Sequence, residues 1–103
     1  RIADTRKAAA ALQAVVLLKG STTVVAEPGG NVLCITSGDT RLATAGSGDV
    51  LTGVIAALLA MGLDAFHAAA AGAFIHGNAL ERLPKYGVVA SDIVQEIQVG
   101  GYE

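Results

Sequence analysis

The sequence has few of the residues on which several kinds of binding site depend. It contains one cysteine, Cys34, no tryptophan and only 4% aromatic residues over 103 positions. One cysteine forms neither an internal disulfide bond nor a cysteine-rich metal cluster. Because Cys34 lies in an apolar run, we predict a buried core residue and a protein of the reducing cytoplasm.

Charged residues are also scarce. They make up 16% of the chain, and the net charge is -2. No basic surface is available for a nucleic-acid backbone, and the scarcity of aromatic residues removes base-stacking platforms. The longest apolar run, Val50 to Leu63, is too short to span a bilayer and is interrupted by Thr52 and Gly53. We therefore expect neither nucleic acid nor a membrane as a partner.

The apolar residues, 52% of the chain, follow alternating helical and strand patterns. These patterns predict helices at 6–14, 50–60, 65–83 and 90–97, and strands at 14–18, 22–26 and 32–36. The alternation predicts an α/β layered fold without internal repeats. Three strands are few for long helices so rich in alanine and glycine, so we expect the C-terminal part of a larger domain.

The most informative segment is Gly46-Ser47-Gly48-Asp49, which directly precedes a helical pattern. Glycines let a ligand approach the backbone, and the start of a helix offers N–H groups and a positive partial charge to an anion. A carboxylate in the first helical turn is placed to accept a proton from an attacking hydroxyl during phosphoryl transfer. The alternative is that Asp49 only complements the helix dipole. The segment is not a Walker A motif, because no Gly-Lys-Ser/Thr follows it.

Three further features are weaker by themselves. Lys19 follows a strand that we take as central, where α/β folds bind ligands, but it is as readily a solvated lysine before a turn. His76 lies on an apolar helix, where a packed core histidine is the commoner outcome. Ser91 and Asp92 predict a helix cap and nothing more.

Taken in order, these elements resemble one family closely. Lys-Gly-Ser-Thr-Thr at 19–23, Leu-Ala-Thr-Ala-Gly-Ser-Gly-Asp-Val-Leu-Thr-Gly at 42–53, His76-Gly77 and Ala90-Ser91-Asp92 are similar to the C-terminal half of ADP/ATP-dependent NAD(P)H-hydrate dehydratases. The resemblance implies the C-terminal portion of a ribokinase-like three-layer α/β/α domain, covering residues 1–103. In this family two glycines commonly precede the serine, whereas this chain has Ala45 in the first place.

The resemblance also implies an activity. These enzymes repair hydrated NADH and NADPH (NADHX and NADPHX): ADP or ATP phosphorylates the added hydroxyl, and phosphate then leaves to regenerate the dihydronicotinamide. Asp49 would be the catalytic base and a substrate contact, and Gly46, Ser47 and Gly48 would form the anion hole. The nucleotide would contact Lys19, Gly20, Ser21, Thr22, Thr23, Asp39, Thr40, Arg41, Leu42, Ala43, Thr44 and Ala45.

The resemblance further implies magnesium bound with the nucleotide, a homo-oligomer, and a fused or separate NAD(P)H-hydrate epimerase as a partner. The family's N-terminal half supplies much of the substrate pocket, so we expect this chain alone to be an incomplete enzyme. Two alternatives stay open. One is another ribokinase-like kinase, of the hydroxymethylpyrimidine or thiazole type, and the other is a nucleotide-binding fragment without catalysis.

Overall fold

The computed structural model describes residues 1–36, 46–84 and 89–97. These residues form, in chain order, α1 (Ile2–Leu12), β1 (Val16–Leu18), β2 (Thr23–Ala26), β3 (Val32–Ile35), α2 (Ser47–Ala60), α3 (Ala65–Glu81) and α4 (Ala90–Glu96). The predicted order of helices and strands is therefore confirmed. Helix α2 begins at Ser47 rather than at the predicted Val50, because Ser47, Gly48 and Asp49 themselves form its first turn.

The strands form one antiparallel sheet in the order β1-β2-β3. Strand β2 lies in the middle, and all four of its residues are buried. Val25 packs against Phe66 and Ala69 of α3. Because side chains alternate along a strand, Val24 faces the opposite side, where α1 covers β1 and β2. The sheet is therefore the middle layer between α1 and α3.

One sequence prediction about this sheet needs correction. Cys34 is exposed rather than buried. It lies on the edge strand β3, opposite Val24 of β2, on the side of the sheet where α1 packs against β1 and β2. Strand β1 lies at one edge of the three-stranded sheet that the described residues form, and its central position in a larger domain stays a prediction. Lys19 therefore follows a strand with one unpaired side in the part of the chain that the structure describes.

Helices α2 and α3 pack closely against each other. Val54 and Leu58 of α2 form one core cluster with Ala68 and Ile75 of α3. Between them, a Cβ atom built on Gly72 would lie only 2.6 Å from Cγ1 of Ile55. The contact leaves no room for a methyl group, and it fixes the distance between the two helices.

A short turn connects the two helices. The carboxylate of Asp64 accepts a hydrogen bond from the backbone N–H of His67, with N and Oδ1 2.8 Å apart. This bond and the His67 side chain hold the pKa of Asp64 below its usual value. The predicted capping of α3 by Asp64 is confirmed, because the carboxylate satisfies an N–H group of the first turn. Among the described residues, no helix is both long and apolar enough to cross a bilayer.

We predict that Gly72→Ala destabilises the full-length protein that contains this chain. Overpacking of this kind costs about 1–3 kcal/mol, against a helix-propensity gain of about 1 kcal/mol. The matched control is Gly53→Ala on the facing helix, where a Cβ would meet no atom within 4 Å. Urea denaturation should show a lower free energy of unfolding for Gly72→Ala and a higher one for Gly53→Ala. Equal stability of the two variants would contradict the packing argument.

Candidate functional site

The start of α2 is built on a left-handed glycine. Gly46 is the N-cap of α2 with φ 85° and ψ -6°, a conformation that costs other residues about 1–2 kcal/mol. Its carbonyl accepts the first helical hydrogen bond from the N–H of Val50, at 3.2 Å. A Cβ on Gly46 would lie 3.3 Å from the Cβ of Ala90 at the start of α4. Backbone conformation and packing therefore both favour glycine here.

The following residues have the geometry of an anion site. Ser47, Gly48 and Asp49 form the first turn of α2, where N–H groups lack helical carbonyl partners and the helix dipole is positive. Gly48 is exposed, and its φ is not among the positive ones. A Cβ on Gly48 would meet nothing within 4 Å. Neither its conformation nor packing within the protein accounts for this glycine.

A lysine from the sheet contacts this turn. The Lys19 ammonium donates a hydrogen bond to Oγ of Ser47, with the two atoms 2.7 Å apart. Ser47 is buried, and Lys19, which directly follows β1, is half-buried. Partial burial lowers the pKa of Lys19. The bond joins the end of β1 to the beginning of α2 and places a cation beside the anion site.

A buried histidine lies close to this pair. His76 of α3 is only 1% exposed. Its Nε2 has no hydrogen-bond partner among the residues that the structure describes. Burial, and secondarily the positive charge of Lys19, lower the pKa of His76 to about 4. The imidazole is therefore neutral at neutral pH.

Asp49 borders an apolar groove. Asp49 is exposed and lies one position after Gly48. The groove has a volume of about 310 Å³ and runs between α2 and α4. Its lining residues are Asp49, Val50, Gly53, Val54, Ala57, Val94 and Ile97. Asp49 is the only charged residue of this lining, so the base candidate stands at the edge of an otherwise uncharged surface.

The predicted nucleotide residues after β1 form a turn. Thr23 Oγ1 donates to the carbonyl of Gly20 at 3.4 Å. The Arg1 guanidinium donates to the carbonyl of Thr22 at 3.1 Å, and Ser21 is exposed. The remaining predicted residues, Asp39, Thr40, Arg41, Leu42, Ala43, Thr44 and Ala45, lie outside the described residues.

Helix α4 begins at Ala90, as the sequence predicts, but its N-cap is Val89 and not the predicted Ser91 or Asp92. Asp92 contributes from the first turn, where one of its carboxylate oxygens accepts a hydrogen bond from the N–H of Val89 at 3.0 Å. The sequence contained no signal for the contact between Gly46 and Ala90, or for the proximity of His76 to Lys19. Both relations join residues far apart in the chain, the first by packing and the second through the effect of the Lys19 charge on His76, and periodicity and turn patterns reveal neither.

Comparison with known proteins places this site in a family context. Residues 1–99 match the model of a family described as NAD(P)H-hydrate dehydratase. An ADP-dependent (S)-NAD(P)H-hydrate dehydratase of Neisseria meningitidis is 45% identical over 94 residues, covering 91% of this chain and 32% of the relative. A bifunctional NAD(P)H-hydrate repair enzyme of Mycobacterium leprae is 56% identical over 79 residues, covering 77% of this chain and 17% of the relative.

The fold comparison agrees. The crystal structure of an ADP/ATP-dependent NAD(P)H-hydrate dehydratase from Bacillus subtilis, co-crystallised with ATP and Mg²⁺, superimposes with a TM-score of 0.85 at 31% sequence identity. The match covers 93% of this chain and 36% of that one. The predicted α/β fold of the ribokinase-like dehydratases is confirmed. The chain spans about a third of the length of the Neisseria relative.

We predict that changing Gly46 to alanine affects stability, whereas changing Gly48 to alanine affects ligand binding. Gly46→Ala should lower the free energy of unfolding by about 1–2 kcal/mol, because alanine is strained in the left-handed region. Gly48→Ala should fold with unchanged or higher stability but lose at least about tenfold in affinity for inorganic phosphate, since a methyl group blocks approach to the backbone. Calorimetry of the full-length variants measures both quantities. Undiminished phosphate affinity in Gly48→Ala would remove the argument for an anion site.

Proposed function

The chain belongs to the NAD(P)H-hydrate dehydratase family, and on that premise we propose that residues 1–103 are the C-terminal part of a nucleotide-dependent NAD(P)H-hydrate dehydratase domain. The substrates would be NADHX and NADPHX, with ADP or ATP as phosphoryl donor. The observation that supports this function best is the start of α2. There a glycine-rich turn, the Lys19 ammonium and the Asp49 carboxylate come together next to an uncharged groove.

Each part of this site would have a separate task in the reaction. Asp49 accepts the proton of the substrate hydroxyl. The oxygen of that hydroxyl attacks the terminal phosphorus, and the bond from that phosphorus to the nucleotide breaks. The amides at Gly46, Ser47 and Gly48 hold the transferring phosphoryl group, and Lys19 offsets its negative charge. Phosphate then leaves with the former hydroxyl oxygen, and loss of a ring proton restores the double bond.

The uncharged groove suits the reacting ring. Asp49 stands at its edge, so a hydroxyl carried on a flat ring can reach the carboxylate while the ring lies against Val50, Val54 and Val94. Contact with these side chains removes water from the ring, and this protects a phosphorylated intermediate from hydrolysis.

The residues present fit magnesium that arrives with the nucleotide. Among the described residues, no group of three or more His, Cys, Asp or Glu side chains could hold a metal ion. Mg²⁺ usually keeps several waters and binds through substrate phosphates rather than in a dedicated protein cage, so the nucleotide would bring the ion on its phosphates while Asp49 acts as the base. Bound there, the ion would neutralise phosphate charge.

The proposal extends to the surroundings of the enzyme. The predicted nucleotide contacts at 19–23 and 39–45 belong to it, as do a homo-oligomeric assembly and a cytoplasmic location. A relative from Mycobacterium leprae is named a bifunctional repair enzyme, and this agrees with a second activity, which we propose to be the epimerase, on the same chain or on a separate one.

We predict that Asp49→Asn in the full-length protein lowers turnover of hydrated NADH by about 10²–10⁴-fold, the usual contribution of a general base. Affinity for ADP should stay within about threefold, less than 1 kcal/mol, because the amides and Lys19 remain. The matched control is Asp4→Asn, another acid in the first turn of a helix. Turnover is followed by the returning absorbance of reduced nicotinamide and by release of phosphate.

The same assay separates the two remaining functions. A ribokinase-like small-molecule kinase would accumulate a stable phosphorylated product and release no phosphate. A nucleotide-binding module would bind ADP without turnover. Wild-type rates in Asp49→Asn would contradict the role of Asp49 as the base.

A further inference from the structure

The buried imidazole of His76 has no role in the steps described above. Its side chain is 1% exposed, and its Nε2 finds no hydrogen-bond partner among the described residues. A buried polar atom without a partner costs about 1–3 kcal/mol. A leucine or phenylalanine would fill this core position without that cost, so the histidine calls for an explanation beyond packing.

The packing of α2 and α3 puts His76 near the anion site. The helices are joined by a short turn and run in opposite directions, and Gly72 lies against Ile55. His76 lies one turn after Gly72 on α3. Because the helices run in opposite directions, the residue across from His76 on α2 lies one turn before Ile55, at Leu51. Ser47 lies one turn beyond Leu51. This count places the imidazole across from Leu51, one turn from Ser47.

The Lys19 ammonium can supply the hydrogen-bond donor that Nε2 of His76 lacks. A lysine ammonium carries three N–H donors, and one of them is bonded to Oγ of Ser47. A neutral imidazole has one ring nitrogen with a free lone pair, which accepts such a bond. The charge of Lys19 reaches His76, since it contributes to the lowered pKa of the imidazole. The bond from Lys19 to Ser47 and the packing of α2 on α3 place the two side chains in the same region, and no hydrogen bond joins them among the described residues.

We propose that His76 is a positioning residue for Lys19 and that its Nε2 accepts a hydrogen bond from the ammonium when a phosphate group binds at the start of α2. The ammonium then has three acceptors: Oγ of Ser47, Nε2 of His76 and a phosphate oxygen. The two protein acceptors fix its position, and the third N–H points to the phosphate. The unmet bond of Nε2 is satisfied in the phosphate-bound state, so the cost of burying it favours binding.

This inference rests on the proposed function only for the identity of the ligand as a nucleotide phosphate. It predicts a result that a purely structural packing role for His76 does not predict. Loss of the Nε2 acceptor should weaken phosphate binding and at the same time leave the unliganded protein as stable as before, or more stable.

The first part of the test uses the full-length protein and four single variants. His76→Phe and His76→Leu remove the acceptor with two different shapes, and His76→Gln returns an acceptor oxygen on a side chain of similar length. His67→Phe is the matched control, because His67 is the exposed histidine of the same helix. Thermal unfolding without nucleotide, and calorimetric titration with ADP and with inorganic phosphate, are measured for each.

We expect the melting temperature of His76→Phe or His76→Leu, without ligand, to be at or above that of wild type. Their Kd for ADP should rise about tenfold, the equivalent of one hydrogen bond to a charged group. His76→Gln should recover most of the affinity, and His67→Phe should bind as wild type. The ratio of kcat to KM should fall mainly through KM, because Asp49 is untouched.

A double-mutant cycle shows whether His76 acts through the lysine. In a Lys19→Met background, His76→Phe should weaken ADP binding no further. Equal weakening in both backgrounds would overturn the proposal, as would unchanged ADP affinity in His76→Phe and His76→Leu. If both of these variants unfold, a Kd of His76→Gln as weak as that of Lys19→Met overturns it equally.

The results also separate this inference from the proposed function. Binding of ADP without turnover of hydrated NADH would refute the dehydratase activity and leave the role of His76 intact. Normal turnover with unchanged ADP affinity in the His76 variants would refute only the role of His76. A wild-type protein that binds neither ADP nor phosphate would refute both.

Discussion

The hydrogen bond between the Lys19 ammonium and Oγ of Ser47 is the interaction on which the site depends. It joins the sheet to the first turn of α2, and it does so with a charged group that is half withdrawn from water. A charge placed there would be costly without acceptors around it. The serine hydroxyl supplies one of them, and the lowered pKa of the lysine records the remaining desolvation. Binding of a second, negatively charged acceptor, such as a phosphate oxygen, is therefore favoured beside the Lys19 ammonium.

The other elements keep the turn in place around this bond. Gly46 gives the backbone its left-handed conformation and lies against Ala90, so the beginnings of α2 and α4 are in contact. At the far end of α4, the Arg82 guanidinium bonds both the side chain and the backbone carbonyl of Glu96. Helix α4 is therefore fixed at both ends, once against the glycine turn and once against the end of α3. The groove beside Asp49 has its width set by these two attachments.

Local signals were enough to predict the order of helices and strands and to single out the candidate site, and packing decided the rest. The Gly46 to Asp49 segment, the Asp64 cap and the strand pair around Pro28 to Asn31 are readable because each depends on neighbours in the chain. The exposure of Cys34 was not readable, since it depends on which strands α1 covers. The position of β1 at an edge and the approach of His76 to Lys19 likewise follow from tertiary packing. A sequence pattern indicates that a histidine is buried, but not what lies next to it.

The close contact between Gly72 and Ile55 has a mechanical consequence. A methyl group in place of the Gly72 hydrogen would collide with Ile55, so the two helices have little room to slide past each other at this point. We therefore expect the glycine turn on α2 and the imidazole on α3 to keep their spacing during larger motions. Adjustment at the site then falls mainly to side chains, of which that of Lys19 is the longest.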